Sequence, residues 1–514
     1  MELDELIRDL AIVETQGDLR LPVPGLAYHT GQVAAGGVFV AIPGTRTDGH
    51  EFVSQAVARG ARVLVVEKPC VAPAGVTVVR VPSARIALAA LANRFFAFPS
   101  HRLTIVGVTG TNGKTTTAYL LESILAAAGN RVGVIGTVNI RYPGAVTPAP
   151  VTTPESLDLQ RSLSEMLQAG VTHVIMEVSS HGLDMHRVEG TRFAAGLFTN
   201  LSQDHLDYHG TMEQYFAAKA RFFTQILRGD GRERPRHGVA LINGDDGWGK
   251  KLCSLVPEPL LRYGLAPGLE IRATGATCDL SGITARVETP AGGLEFHSPL
   301  LGRLNLYNVL AATAAAVGLG LPLDAIRGGI EALTQVPGRL EVVPNDLELR
   351  VLVDYAHTPD ALEKALDALR DLGGRRLICV FGCGGDRDRG KRPIMGAAAA
   401  NRADVVVITS DNPRSEVPEA IVAEIETGVR PLGLKRIEPL ENVPPPGERC
   451  YTLLVDRRHA IRLAVTWAQP GDVVYIGGKG HETYQIVGPR RLDFDDRLVA
   501  AAALEEKKRH DRRQ

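Results

Sequence analysis

The chain has few cysteines, almost no net charge and no long apolar run. Its six cysteines among 514 residues include one C-x3-C pair, Cys379 and Cys383, but no second pair that could complete a zinc site, so we expect free thiols in a reducing cytoplasm. The 57 basic residues nearly balance the 58 acidic ones, and a net charge of −1 offers no basic field for nucleic acid or a membrane surface. No apolar run reaches about 18 residues, and the acidic, amphipathic start does not resemble a signal peptide, so no membrane partner is expected.

The strongest pattern present is a β-rich segment at 103–108, then a glycine-rich loop, then a helix-forming run that ends at Gly129. The loop consists of Gly110, Thr111, Asn112, Gly113, Lys114, Thr115 and Thr116. Glycines let backbone N–H groups turn toward a phosphate, and the start of the helix adds its dipole. Lys114 is placed to reach the β- and γ-phosphates, and Thr115 to coordinate Mg²⁺. The pattern predicts a phosphate-binding loop, because a plain tight turn would not explain Gly-Lys-Thr-Thr.

The length of the chain exceeds what one hydrophobic core supports, so about three domains are expected. The composition, 45% hydrophobic and 22% charged, is that of an ordinary globular protein. Breaks at Pro99 and at Pro337-Gly338 predict the boundaries. Strands and helices alternate on both sides of these breaks, which predicts an α/β fold.

Polar residues follow two buried strands of the second unit. Glu177 lies at the end of a predicted strand at 173–178, and ligands of doubly wound sheets bind outside the carboxyl ends of strands. A carboxylate there can hold Mg²⁺, but a single glutamate at a strand end is also a common structural residue. Asp204 and His205 follow the strand at 195–199, where they could cap a helix or contribute to a site.

For several other residues, spacing alone does not establish a functional role. Lys219 lies among aromatic residues of a predicted helix, where a lysine usually extends along the rings, so its spacing indicates no role. Asn305 and Asn308 share one face of a helix start and could cap the helix or bind a nucleobase edge. Thr153, followed by Pro154, fits a helix cap.

Four predicted strands of the third unit each end in a polar cluster. The strands are 349–353, 376–381, 404–409 and 472–476, and the clusters begin at Asp354, Gly382, Ser410 and Gly477. One such loop is unremarkable, whereas four loops at one sheet edge indicate a binding site. Their arginines suit recognition of a carboxylate by paired N–H donors.

Ten motifs occur in the order found in the Mur ligase family, and this resemblance covers nearly the whole chain. They are TGTNGKTTT, EVSSHGL, TNLSQDHLDYH, EQYFAAKA, RLNLYN, PGRLE, DYAHTPD, GCGGDRDRGKRP, DNPR and GGKGHE. The resemblance implies a small N-terminal α/β domain, a central P-loop-type ATPase domain with a mostly parallel sheet, and a Rossmann-like C-terminal α/β domain. We expect them to bind a UDP-sugar substrate, ATP and an amino acid, respectively, at 1–98, 99–336 and 337–514.

The resemblance also implies an activity. The sequence Asp411-Asn412-Pro413-Arg414 resembles family members that add meso-2,6-diaminopimelate, rather than L-lysine, to UDP-N-acetylmuramoyl-L-alanyl-D-glutamate. The implied reaction uses ATP and Mg²⁺, passes through an acyl phosphate and serves peptidoglycan synthesis. We expect a cytoplasmic monomer whose partners are these small molecules, with neither nucleic acid nor membrane.

Residue roles in the chemistry are carried over by position. The resemblance assigns ATP to residues Gly110 to Thr116 and to Asn305, Arg339, Asp354 and His357. It assigns one Mg²⁺ to Thr115 and Glu177, and a second to His205 and a carbamylated Lys219 (N6-carboxylysine). A carbamate converts the ammonium into an anionic oxygen ligand, which suits Mg²⁺. The implied catalytic residues are Lys114, Glu177, His205 and Lys219.

The two other substrates are assigned in the same way. The resemblance implies that the UDP-N-acetylmuramoyl dipeptide contacts Thr30, Thr45, Arg46, Thr47, Thr152, Thr153, Ser179 and Arg187. It implies that diaminopimelate contacts Arg387, Asp411, Asn412, Pro413, Arg414, Gly478 and Glu482. Arg414 would face the distal carboxylate, the group that lysine lacks.

The chain departs from the family pattern at two places. An Asp-Ser-Arg sequence of the family is here His29-Thr30-Gly31, and the glutamine usual two residues before Arg187 is Met185. Thr30 can replace the serine hydroxyl, but Gly31 cannot replace an arginine. Both departures lie among residues expected to bind the UDP-sugar. They therefore concern binding and identity of the acceptor and not the residues of the chemical step.

The same motifs disfavour other functions. DNPR disfavours a lysine-adding ligase, and EVSSHGL with GCGGDRDRGKRP disfavours a folylpolyglutamate synthase. A P-loop ATPase switch without ligation would give no reason for the polar clusters of the third unit. A nucleotide-sugar-binding regulator that lost catalysis is disfavoured by intact Lys114, Glu177, His205 and Lys219.

Overall fold

The structure is a computed structural model that describes residues 1–44, 47–229, 238–438 and 447–512. Three sheets follow one another along the chain, together with a separate two-stranded hairpin. Thr45 and Arg46, predicted to contact the UDP-sugar, lie outside the described residues. Among the described helices, none is both long and apolar enough to cross a membrane.

The first sheet has five strands. In spatial order they are Glu14–Gln16, Thr77–Arg80, Val63–Val66, Val38–Val40 and Leu26–Ala27. All neighbours pair in parallel except the first two, which pair antiparallel. The helices of this unit are Leu3–Leu6, Val53–Ala58 and Ala84–Phe95. Apolar residues from these helices and both faces of the sheet form its two small cores.

The second sheet has eleven strands and carries the phosphate loop. In spatial order they are Gly292–Ser298, Gly282–Thr289, Ile271–Asp279, Leu260–Gly264, Val239–Asn243, Ala195–Phe198, Thr104–Thr109, His173–Glu177, Val132–Ile135, Asn139–Tyr142 and Ala145–Pro148. The central strands pair in parallel, and antiparallel strands extend both edges. This confirms the predicted mostly parallel sheet.

Helices cover both faces of this second sheet. They are Lys114–Ala127, Ser156–Gln168, Ser180–Asp184, Leu206–His209, Met212–Thr224, Gly247–Cys253, Gly302–Gly318 and Leu323–Ala332. Two buried apolar cores lie on opposite faces, as expected for parallel strands that read as continuous apolar runs. The alanine-rich helix Gly302–Gly318 packs on the helix Lys114–Ala127 that follows the phosphate loop.

The third sheet has seven strands. In spatial order they are Glu341–Val343, Arg350–Asp354, Val473–Gly477, Leu377–Phe381, Val405–Ile408, Cys450–Leu453 and Lys435–Arg436. All pairs are parallel except the first. The helices are Pro359–Asp371, Lys391–Arg402, Pro418–Val429, Arg457–Trp467 and Asp496–Asp511, and a hairpin of Tyr484–Val487 and Arg490–Asp493 follows the sheet. The four predicted strands are present, and their carboxyl ends share one edge.

One local interpretation of the sequence is wrong. The pair Thr153-Pro154 fits a helix cap, but the helix begins at Ser156 after Glu155, which makes no side-chain capping bond. The hydroxyl of Thr153 instead donates to the carbonyl oxygen of Glu177 at 3.0 Å and is fully buried. Tertiary contact with the neighbouring strand thus determines the conformation of this threonine.

Candidate functional site

The phosphate loop is held tightly against neighbouring elements. Gly110 and Gly113 have φ angles of +144° and +88°, which side-chain-bearing residues rarely adopt. A Cβ on Gly110 would lie 1.9 Å from the hydroxyl of Thr199, and one on Gly113 would lie 2.4 Å from the Oδ1 atom of Asn308. The glycines are therefore required by backbone conformation and by space. The loop leads directly into the helix that begins at Lys114.

Two lysines converge on one carbonyl oxygen of this loop. The Nζ atoms of Lys114 and Lys219 donate to the carbonyl of Gly110 at 3.0 and 2.9 Å. Lys219 is 1% exposed, and burial together with the charge of Lys114 lowers its pKa well below the usual lysine range. Burial also lowers the pKa of Lys114. The arrangement favours a neutral amine at Lys219.

Glu177 lies deep at the end of its strand with hydroxyl groups around it. Its Oε2 atom accepts bonds from the hydroxyls of Thr115 at 3.2 Å and Thr137 at 2.8 Å, and its Oε1 atom accepts from the backbone N–H of Thr137 at 3.0 Å. Thr137 was not singled out, although it follows the strand Val132–Ile135 at the same sheet edge. The carboxylate and the Thr115 hydroxyl are oxygen donors of the kind that Mg²⁺ prefers.

His205 and Lys219 flank the ring of Tyr215. The ring centroid of His205 lies 6.1 Å from that of Tyr215, and the Nζ atom of Lys219 lies 4.8 Å from it. Desolvation in the cleft lowers the pKa of His205, which keeps the imidazole neutral at pH 7. Within the described ranges, no group of three or more His, Cys, Asp or Glu side chains could hold a metal ion. The predicted pairs instead combine one such residue with a threonine or a lysine.

A cleft of about 460 Å³ runs from the phosphate loop to the third unit. The predicted nucleotide residues Asn305, Arg339, Asp354 and His357 line it. Asn305 donates to the carbonyl of Leu301 and accepts from Asn308, so both amides also take part in the helix start. Burial raises the pKa of Asp354 and lowers that of His357.

The second and third units contact each other at this cleft. Arg339 donates from its Nη2 atom to the Thr115 hydroxyl at 3.1 Å, and its guanidinium lies 4.7 Å from the ring centroid of Tyr355. The Oδ2 atom of Asp360 accepts from the Ser202 hydroxyl at 2.6 Å and from the Asn112 amide at 3.3 Å. Sequence reasoning missed this link between a phosphate-loop residue and a helix of the third unit.

Replacing Asp360 with alanine should weaken the contact between these units. We expect the KM for ATP to rise about tenfold, because two hydrogen bonds to a carboxylate at the mouth of the cleft are lost. Steady-state kinetics and small-angle scattering with and without nucleotide would measure the effect. Asp367→Ala on the exposed side of the same helix is the control. An unchanged KM for ATP would show that the contact does not contribute to nucleotide binding.

The residues predicted for the UDP-sugar lie in two places. Thr152 and Ser179 line the cleft. Arg187 donates to the carbonyl of Thr153 at 3.0 Å and to Glu155 at 2.9 Å. Thr30 and Thr47 belong to the first unit, and the Thr30 hydroxyl donates to Gln55 at 3.0 Å.

A salt bridge ties the first unit to this region. Arg85 donates from its Nη1 atom to Glu155 at 3.2 Å and from its Nη2 atom to the carbonyl of Pro43 at 2.7 Å. Glu155 thus binds both Arg85 and the predicted substrate residue Arg187. Neither Arg85 nor Glu155 was singled out from the sequence.

The residues predicted for the amino acid lie together at the carboxyl edge of the third sheet. Arg414 has a φ angle of +52° and donates to the carbonyl of Gly385 at 2.7 Å. Asn412 donates to Glu482 at 2.8 Å. The remaining members of this group, the amino-acid cluster, are Arg387, Asp411, Pro413 and Gly478. These loops follow three strands that are far apart in sequence, Leu377–Phe381, Val405–Ile408 and Val473–Gly477.

Fold and site together define a P-loop nucleotide-binding protein with two further α/β units. Three family models match it, namely the Mur ligase family catalytic domain at residues 23–96, the Mur ligase middle domain at 108–316 and the Mur ligase glutamate ligase domain at 338–480. The chain belongs to the Mur ligase family.

Individual relatives match over almost the full length. The chain is 49% identical over 506 residues to the UDP-N-acetylmuramoyl-L-alanyl-D-glutamate–2,6-diaminopimelate ligase of Geobacter metallireducens, covering 98% of this chain and 99% of the relative. It is 47% identical over 504 residues to the ligase of the same name from Geobacter sulfurreducens, covering 98% and 99%. A solved structure of a ligase with this name has a TM-score of 0.69 and 32% identity, and covers 99% of each chain.

Proposed function

We propose that this enzyme joins meso-2,6-diaminopimelate to UDP-N-acetylmuramoyl-L-alanyl-D-glutamate and cleaves ATP to ADP and phosphate in the process. The observation that carries the proposal is a cleft lined both by the phosphate loop and by the third unit. The carboxyl edge of the third sheet contributes Asp354 to this cleft, and the same edge carries the amino-acid cluster with its arginines and carboxylates. The full-length similarity to ligases of that name supports the proposal. We also propose that the enzyme acts in the cytoplasm as a monomer.

The proposed chemistry begins with activation of the acceptor carboxylate. The γ-phosphoryl group of ATP passes to the D-glutamyl carboxylate and gives an acyl phosphate. The neutral amine of diaminopimelate then attacks the acyl carbon, and the resulting tetrahedral species loses a proton from its nitrogen and expels phosphate to form the amide. Lys114 and the backbone N–H groups of its loop stabilise charge on the transferring phosphoryl group.

We propose that donor atoms of the chain hold two Mg²⁺ ions. Thr115 and Glu177 would hold one Mg²⁺, and His205 with a carbamylated Lys219 would hold the second. When bound, Mg²⁺ offsets negative charge on the phosphates. His205 is suited to this role because its imidazole is neutral at pH 7.

The surroundings of Lys219 support its carbamylation. Carbamylation requires a neutral amine, which attacks carbon dioxide and loses a proton, and the pKa of Lys219 is lowered. Two ammonium groups that donate to the same Gly110 carbonyl would repel each other. A carbamate on Lys219 would replace this repulsion by attraction to Lys114.

The test of the proposed function compares amino acids in a phosphate-release assay. ATP and UDP-N-acetylmuramoyl-L-alanyl-D-glutamate are supplied with meso-diaminopimelate or with L-lysine, and the tripeptide product is identified by mass spectrometry. We expect phosphate release and tripeptide product only when meso-diaminopimelate is the amino acid supplied. Equal use of lysine would show that the enzyme is a ligase without specificity for diaminopimelate. No turnover with either amino acid would overturn the proposal.

Replacing Arg414 with methionine is expected to raise the KM for diaminopimelate about 10- to 100-fold, the usual effect of losing one charged hydrogen-bond pair. The guanidinium is fixed by its bond to Gly385, so the loss falls on the distal carboxylate of the substrate. Steady-state kinetics with each substrate varied in turn would measure it. Arg490→Met, which removes an exposed guanidinium from the adjacent hairpin, is the matched control. Equal rises for both variants would contradict the role of Arg414.

A further inference from the structure

A fully buried lysine lies inside the amino-acid cluster. Lys479 follows the strand Val473–Gly477 and has no exposed surface. Its Nζ atom donates to the Oε2 atom of Glu482 at 2.9 Å and to the Oδ1 atom of Asn412 at 3.2 Å. It also lies 3.7 Å from the Oδ1 atom of Asp411. One ammonium group therefore contacts three residues predicted to bind the amino acid.

The bonds of Lys479 fix the orientation of its neighbours. The Oδ1 atom of Asn412 also accepts from the backbone N–H of Ile486 at 3.0 Å, and its Nδ2 atom donates to the Oε2 atom of Glu482 at 2.8 Å. Asn412, Glu482 and Lys479 thus form a closed triangle of hydrogen bonds. The amide orientation of Asn412 is determined by this triangle, because its oxygen faces two donors and its nitrogen faces a carboxylate.

Asp411 has an unused acceptor beside the triangle. It is 6% exposed, and among the described residues its Oδ1 atom is buried without a hydrogen-bond partner. Its main-chain carbonyl accepts from the Gln485 side chain at 2.6 Å, which fixes the backbone there. A buried carboxylate oxygen without a donor is costly unless a ligand supplies one. An ammonium group of the incoming amino acid is a donor of the right charge.

The same contacts show which charged groups lie next to Lys479. Asp411 and Glu482 carry two negative charges, and Lys479 offsets one of them. Nearby Arg457 is committed to Asp496 through two bonds at 2.8 and 2.7 Å. Lys479 contacts both carboxylates, whereas Arg414 donates to the carbonyl of Gly385 and Arg387 to that of Asp386. The buried Oδ1 atom of Asp411 has no hydrogen-bond partner among the described residues and can accept from one ammonium group. Without Lys479, the two carboxylates would repel each other.

We propose that Lys479 is a positioning residue of the amino-acid site: it orients Asn412 and Glu482 and reserves Asp411 for the ammonium group of the substrate. The inference rests on the proposed function, because it concerns recognition of the amino acid in that reaction. A lysine that served stability alone would act on unfolding and not on one substrate in particular.

The first experiment compares Lys479→Met with the wild-type enzyme and with Lys508→Met. Lys508 pairs with Asp346 on the surface of the same unit, so this control removes a paired ammonium group away from the site. For Lys479→Met we expect the KM for diaminopimelate to rise by up to about 100-fold, since misplaced substrate groups cost rates of this order. The KM for ATP and for the UDP-sugar should change less than about twofold, within ordinary non-additivity of distant sites.

A second variant separates charge from hydrogen bonding and guards against misfolding. Lys479→Gln keeps a donor without the charge, and we expect a KM between those of the wild type and Lys479→Met. Thermal unfolding of each variant is recorded by calorimetry. If Lys479→Met does not fold, the Gln variant decides the question. An unchanged KM for diaminopimelate in a folded variant, or equal rises for all three substrates, would overturn the inference.

A double-mutant cycle with Glu482→Gln tests whether Lys479 acts through its neighbour. The double variant Lys479→Met/Glu482→Gln should have a KM for diaminopimelate no higher than that of the poorer single variant, whereas independent effects would multiply and contradict the inference. Wild-type turnover is measured first. Absence of turnover with every amino acid tried overturns the proposed function and this inference with it, while turnover with an unchanged KM in the variants overturns the inference alone.

Discussion

Replacing Lys114 with methionine is expected to lower kcat by roughly 100- to 1000-fold, the range found when one donor is removed from a preorganised charge-stabilising site. The Nζ atom of Lys114 donates to the carbonyls of Gly110 and Thr111 at 3.0 and 2.9 Å. It therefore lies over the loop that would hold the phosphates. Methionine keeps the length of the side chain and removes the charge.

The measurement for Lys114→Met is phosphate release under saturating substrates, together with nucleotide binding by calorimetry. We expect binding to weaken less than kcat, because the lysine stabilises charge that develops during transfer. Lys250→Met, a change at an exposed lysine of the same unit, is the matched control. A kcat within a few-fold of the wild-type value would show that Lys114 does not contribute to phosphoryl transfer. A loss seen only in KM would assign it to binding alone.

Replacing Lys219 with alanine is expected to lower kcat about 1000-fold, since a metal ion contributes several kcal/mol of charge stabilisation. Alanine would remove both the carbamate and its oxygen ligand from the neighbourhood of His205. The same change leaves room beside the Gly110 carbonyl, where the Lys219 amine now donates. A small carboxylate such as formate or acetate could occupy this space.

Chemical rescue distinguishes a ligand role of Lys219 from a purely structural one. We expect millimolar formate or acetate to restore part of the activity of Lys219→Ala, and not to stimulate Lys114→Met. Mass spectrometry of the wild type under native, carbonate-containing conditions should show the added mass of a carboxyl group, and the variant should lack it. Full activity of Lys219→Ala without additive would exclude the metal-bridging role.

The role of Lys219 could not be derived from its local sequence. Its spacing among aromatic residues indicated no role, and only the resemblance suggested a modified ligand. The structure brings it to the same carbonyl oxygen as Lys114, although Lys219 and Gly110 are 109 residues apart. Burial and the charge of Lys114 then lower its pKa. Helical periodicity cannot encode this effect, because it arises from another segment of the chain.

The sequence by itself determined the local elements and their order. The phosphate loop, the strand ends at Glu177 and Asp354, and the α/β alternation follow from runs of β-branched residues, glycines and helix formers, which act within a few residues. Because parallel strands place their carboxyl ends at one edge, it also predicted that the polar clusters would converge. These conclusions needed no knowledge of packing.

Only the tertiary structure decided which polar groups form hydrogen bonds with each other. Asp360 bonds to Asn112, which is 248 residues away, and Lys479 bonds to Asn412, which is 67 residues away. The Thr153 hydroxyl bonds to the strand of Glu177 and does not cap a helix. Each of these bonds depends on the relative position of two packed elements to within about an ångström, since hydrogen bonds weaken steeply with distance and angle. Local residue preferences do not define positions at that scale, whereas the packing of the sheets does.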